Sequence, residues 1–306
     1  MLLICLLWAW AEDTPGQKAA AAAFVQNHQT PSGGFARLLP TDGSEAVPSL
    51  RATRTAIKAL RLLGSEPKDR AAVARFLRAC HDEATGGFAD RPGLPPNPIS
   101  TSVALMILKQ ELKLPTEPYE ARALAFMAEA TKDFEELRMV APGIDAMGVP
   151  PPPVAAQWLK MIDEAKNPDG TYGSGPGRVR TTALRLMALV RIGGQVDQLE
   201  NVTELLLAGQ RADGGFGGDQ AGTSDLESCY RIVRLFHRLK LSVAEPDRLR
   251  EFIARCRNAD GGFGIQPGAP STLHGTYYAT IVRHWLAGGE EHPKSNPGGA
   301  VQEPRK

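Results

Sequence analysis

Apolar residues along this chain recur at helical spacing, in runs of two kinds that alternate. One kind interleaves charges with the apolar positions, as in Val73-Ala74-Arg75-Phe76-Leu77 and Leu249-Arg250-Glu251-Phe252-Ile253, the pattern of a half-exposed helix. The other is richer in apolar residues, as in Val103 to Leu108 and Thr182 to Val190, and suits a helix touched on both sides. Between them comes a turn with glycine and an aromatic residue. It is written HQTPSGGFA ending at Ala36, HDEATGGFA ending at Ala89, NPDGTYG ending at Gly173, RADGGFGG ending at Gly218 and NADGGFG ending at Gly264. Glycine after a helix takes the left-handed conformation that ends it, and Asp or Asn beforehand favours the turn.

The aromatic anchors Phe35, Phe88, Tyr172, Phe216 and Phe263 are separated by 53, 84, 44 and 47 residues. The gap of 84 is nearly two periods, and Ala121 to Ala130 followed by Phe134 reads as a repeat that has lost its glycine turn. About six helix hairpins result. One hairpin cannot bury its apolar face alone, but six in a row can curve until the last meets the first. The pattern therefore predicts an all-α fold, an α/α (α6-α6) barrel with two concentric layers and a central cavity, over residues 12–289. An open solenoid of the tetratricopeptide type has a repeat of about 34 residues and lacks this turn.

Composition narrows the partners. Of 306 residues, 42% are hydrophobic, and 35 Lys and Arg against 34 Asp and Glu leave a net charge of +1. The basic residues are interspersed with acidic ones on what read as outer faces, without the stripe that nucleic-acid binding requires. Four cysteines, Cys5, Cys80, Cys229 and Cys256, with no CxxC pair, do not make a disulfide framework. The run Leu2 to Ala11 ends in Ala9-Trp10-Ala11 and reads as a signal peptide over residues 1–11, which favours an exported or periplasmic location over a cytoplasmic one. Against this, no Lys or Arg follows Met1, and signals usually run to about 15–30 residues. Pro150 to Pro153 reads as a stiff loop, and residues 290–306 as a disordered tail.

Candidate chemistry follows from the register. Glu227 lies 11 residues after Phe216, and His274 lies 11 after Phe263; Cys229 corresponds to Thr276. Equal register puts Glu227, Cys229 and His274 at one height on neighbouring inner helices, whose axes pack about 8–10 Å apart. Carboxylate, thiolate and imidazole make a three-donor Zn²⁺ set with a fourth position open, as catalytic zinc requires. Each residue also has a plain structural reading. Ser224-Asp225-Leu226-Glu227 has the form of a capping box with Ser224 as N-cap. Cys229 reads as a buried small residue, and His274 as a polar residue near a helix start.

The repeats resemble the prenyltransferase and squalene-cyclase repeat class over about residues 18 to 287. Within it, Glu227-Ser228-Cys229-Tyr230 is similar to the Asp-x-Cys-Tyr motif of protein prenyltransferase β subunits, and Leu273-His274-Gly275-Thr276 to their downstream His-Thr element. The resemblance implies that Glu227, Cys229 and His274 bind zinc and that Tyr230 adjoins a prenyl diphosphate. It also implies transfer of the isoprenoid to a protein thiol, with a helical α-subunit-like partner. Two departures stand out. Glu227 replaces the usual Asp, and the basic residues expected six and three positions earlier are Ala221 and Ser224. Arg180, at the matching inner-helix position of the preceding repeat, and Arg178 are the substitutes for that diphosphate clamp. The alternatives are a non-catalytic relative whose barrel binds a lipid or peptide, and a terpene cyclase, whose Asp-x-Asp-Asp acid is missing from the sequence. An isoprenoid site further predicts a cavity apolar in its depth and polar at the mouth beside Glu227, with Tyr230, Tyr277 and Tyr278 on its wall.

Overall fold

The glycine turns and apolar runs resolve into twelve α-helices in the computed structural model, which describes residues 13–148, 153–218 and 222–290. The readings on residues 1–11, on Pro150 to Pro152, on Ala221 and on the tail beyond Glu290 lie outside the described residues. The helices are α1 (Pro15–Gln26), α2 (Leu50–Leu62), α3 (Arg70–Ala79), α4 (Pro98–Met106), α5 (Glu120–Ala130) and α6 (Phe134–Met147). They continue as α7 (Ala155–Asp163), α8 (Arg178–Arg191), α9 (Leu199–Ala208), α10 (Leu226–Arg238), α11 (Pro246–Arg255) and α12 (Leu273–Leu286). Among the described residues the only sheet is a two-residue pairing of Phe35–Ala36 with Pro48–Ser49.

The even-numbered helices pack on one another in chain order from α2 to α12, and α12 returns to α2, so the inner ring is closed. The odd-numbered helices lie outside them. The two layers differ in burial as their sequences require: α4 buries every residue but Ile99, whereas α9 buries only Val202 and Leu206, one stripe four residues apart. The worn repeat is confirmed, because α5 passes to α6 through Thr131, Lys132 and the N-cap Asp133 alone.

Each turn is tied to the first turn of the inner helix that follows. The amides of Phe35, Phe88, Tyr172 and Phe263 donate to the hydroxyls of Thr53, Thr101, Thr182 and Thr276 at 2.8–3.0 Å. The turns also set the spacing of the outer ring. Gly214 and Gly261 have φ of +88° and +85°. A Cβ at Gly214 would meet the Arg248 carbonyl oxygen of α11 at 2.2 Å, and one at Gly261 would meet Ala20 of α1 at 2.6 Å. The last turn thus rests on the first outer helix, and the outer ring closes as well.

Candidate functional site

The inner helices enclose a cavity of about 400 Å³. α10 lines it with Glu227, Tyr230, Arg231 and Arg234, one face at spacings of three, four and seven. From α12 come His274, Tyr277 and Tyr278, from α2 Arg51, Arg54 and Thr55, and from α8 Leu184, Met187, Ala188 and Arg191. Val103 and Met106 of α4, Arg138, Met139 and Pro142 of α6, and Arg37, Leu38, Ile265 and Thr272 before α2 and α12 complete the wall. Arg51, Glu227 and His274 are each the second residue of their helix and stand at the mouth. Arg234, seven residues further along α10, lies about 10 Å deeper.

Seven of the lining residues are arginines, and two of them, Arg191 and Arg234, lie far along their helices, so the depth is not wholly apolar as an isoprenoid pocket predicts. Nor are these basic residues on outer faces. Several have acidic partners: Arg54 lies 4.0 Å from Glu111, Arg138 is 2.5 Å from Glu135, and Arg191 is 3.7 Å from Asp145. Arg234 donates to the Tyr230 hydroxyl at 2.9 Å and sits over its ring at 4.9 Å. Arg37 and Arg51 have no carboxylate partner among the described residues. Beside the arginines stands an aromatic wall, in which Tyr230 stacks on Tyr278 at 4.8 Å and on Trp285 at 5.8 Å, with Tyr277 at 5.5 Å.

Glu227 and His274 share this cavity, but Cys229 does not. Its side chain is fully buried, and its sulfur accepts the Phe216 amide at 3.2 Å. This is the same tie that threonine makes in the other four turns. Burial raises the thiol above its ordinary pKa and keeps it protonated in this turn. Among the described residues no three His, Cys, Asp or Glu side chains gather to hold a metal. Glu227, Cys229 and His274 therefore do not converge on one point in this arrangement.

The capping box also differs from its sequence reading. Asp225 caps α10, accepting the Ser228 amide at 2.7 Å, while Ser224 is buried and donates to Asp213 at 2.7 Å. Glu227 is released to face the cavity. It accepts from Arg231 Nε at 3.0 Å and lies 3.6 Å from Arg180, which stands just outside the lining. Burial opposes its ionisation, but Arg231 and Arg180 outweigh it and hold the carboxyl below its usual value. Arg178, the other candidate for the clamp, is committed to Asp169 and Thr171 in its own turn. Burial, aided by Arg37 and Arg51, lowers His274 to a pKa of about 4, so the imidazole is neutral at pH 7. Its buried Nδ1 has no hydrogen-bond partner among the described residues.

The lining arginines are the candidate residues that sequence reasoning missed. Their signal was present, since Glu227, Arg231 and Arg234 form a polar stripe on a helix whose other faces are apolar. The stripe reads as solvent-facing until the ring is known to be closed around it.

Comparison with known proteins agrees with the architecture. The family model of the prenyltransferase alpha-alpha toroid domain matches residues 4–69, 65–127 and 139–296. A crystal structure of a protein from Actinoplanes superposes with a TM-score of 0.63 at 15% identity, covering 90% of this chain and 100% of that one. The type II terpene cyclase MstE from Scytonema gives 0.58 at 13% identity, covering 90% and 98%. A glycosidase solved with glucose gives 0.61 at 14% identity, covering 89% and 96%. No curated protein matches the sequence. At these identities the structural likeness speaks for the fold alone. The family model, spanning nearly the whole chain, goes further: this protein belongs to the prenyltransferase alpha-alpha toroid family.

Proposed function

We propose that the protein binds an isoprenoid-type phosphate or diphosphate ester in its barrel cavity, with the anion held by arginines and the hydrocarbon against the tyrosine wall. The observation that carries this reading is that seven arginines line one cavity of about 400 Å³, two of which, Arg37 and Arg51, have no carboxylate partner among the described residues. Guanidinium matches phosphate geometry and keeps its charge when buried. These arginines take the place of the clamp that is missing at Ala221 and Ser224. Membership of the toroid family supports the isoprenoid part, and a variant of the neighbour MstE was solved with geranylgeranyl dihydroxybenzoate as its substrate.

Chemically, such a wall neutralises a diphosphate as it departs from an allylic carbon. Transfer to a thiol through zinc is not part of the reading, because Cys229 is occupied in the turn. Glycoside hydrolysis is disfavoured too. It needs a pair of carboxylates, and Glu227 is the single one among the described lining residues.

Thermal shift and calorimetry with farnesyl diphosphate, inorganic pyrophosphate and farnesol test the proposal. The two phosphates should raise the melting temperature and farnesol should not. Arg37→Gln with Arg51→Gln removes two guanidiniums that leave no carboxylate unpaired, and should weaken both phosphates by roughly tenfold or more. Absence of binding by either phosphate at millimolar concentration would sink the reading.

A further inference from the structure

Among the described lining residues Glu227 is the sole carboxylate beside seven arginines. Its position is not explained by the helix start, because Asp225 and Ser228 satisfy that. It is not explained by metal binding either, because Cys229 is turned into the repeat turn. Its contacts point to another role. One oxygen, Oε1, receives both Nε and a terminal nitrogen of Arg231 and lies 3.6 Å from Arg180, so guanidiniums of two neighbouring helices converge on it. A phosphate oxygen would receive the same donors. The carboxylate is about one-third exposed, so it can be displaced without unpacking the core.

We propose that Glu227 is an internal counter-anion that occupies one seat of the anion site and is displaced from Arg231 and Arg180 when ligand binds, which selects multiply charged anions over singly charged ones. This rests on the reading of the cavity as a phosphate-ester site. A ligand with one charge exchanges one carboxylate contact for another and gains little. A diphosphate replaces that contact and also reaches further arginines such as Arg51 and Arg234. Meanwhile Glu227 holds the guanidiniums in place while the site is empty, at the cost of repelling the incoming anion through a partly desolvated medium.

The experiment is calorimetry with inorganic pyrophosphate and with dimethyl phosphate, a monoanion, on the wild type, Glu227→Gln and Glu227→Asp, with melting of each protein recorded beforehand. Glu227→Gln should bind pyrophosphate on the order of tenfold more tightly than the wild type, and should gain measurable affinity for dimethyl phosphate. If Glu227→Gln does not fold, Glu227→Asp carries the test: its shorter arm loosens the hold on Arg231, and it should also bind pyrophosphate more tightly than the wild type. Pyrophosphate binding by a variant alone supports the proposal as well, since the seat is then fully taken by Glu227 in the wild type. Pyrophosphate binding that depends on Arg37 and Arg51 but is no tighter in the folded variants overturns the counter-anion role and leaves the anion site standing. No binding by any of the three overturns both.

Discussion

At residue 229 a thiol accepts the Phe216 amide at 3.2 Å, where Thr53, Thr101, Thr182 and Thr276 offer hydroxyls to the corresponding amides. The register that aligns Cys229 with Thr276 was legible in the sequence, but it marks a structural tie as well as a motif. Two substitutions separate those meanings. Cys229→Thr should keep stability within about 1 kcal/mol, because the hydroxyl restores the tie used elsewhere. Cys229→Ala should cost about 1–3 kcal/mol, since it leaves a buried amide unpaired. Denaturant unfolding measures both, and a threonine variant as unstable as the alanine one would refute the assignment.

Among the elements, the turns carry the architecture. Gly214 combines a left-handed φ of +88° with a backbone oxygen 2.2 Å from where its Cβ would lie. Gly214→Val should therefore destabilise by at least about 2 kcal/mol, from conformational strain and from pushing α11 away. A melting curve within a degree or two of the wild type would show that the turn tolerates a side chain. Here the sequence was informative because glycine has few substitutes in that conformation. The inner helices were harder to interpret. Arg51 and Arg54 on α2, and Arg231 and Arg234 on α10, have the spacing of a solvent-facing stripe, and that spacing is the same whether the solvent lies outside the barrel or within it.

For the molecule as a whole, closure brings residues far apart in the chain into contact. Asp13 bonds both Arg257 and Arg283, with its oxygen 2.9 Å from Arg283, and its side chain is 12% exposed. This joins the start of α1 to the last repeat. Asp13→Asn removes the carboxylate that two mostly buried arginines share and should cost roughly 3 kcal/mol. Denaturant titration gives the value, and a loss below half a kcal/mol would show that packing alone holds the seam.

Helical periodicity, the Gly-Gly-aromatic turns and their spacing were enough to determine two layers of helices and a closed ring, because those features act through local sterics and burial that each repeat expresses for itself. The same register correctly placed Glu227, His274, Tyr230, Tyr277 and Tyr278 on the cavity wall. Only the tertiary structure decided what the wall is made of. Whether an arginine faces water outside or the cavity within depends on which helices flank it, and whether Cys229 meets a metal or an amide depends on a turn folded 13 residues earlier in the chain. Charge in the shared cavity comes from four inner helices, α2, α6, α8 and α10, and from the turn that carries Arg37, and no one repeat carries that information.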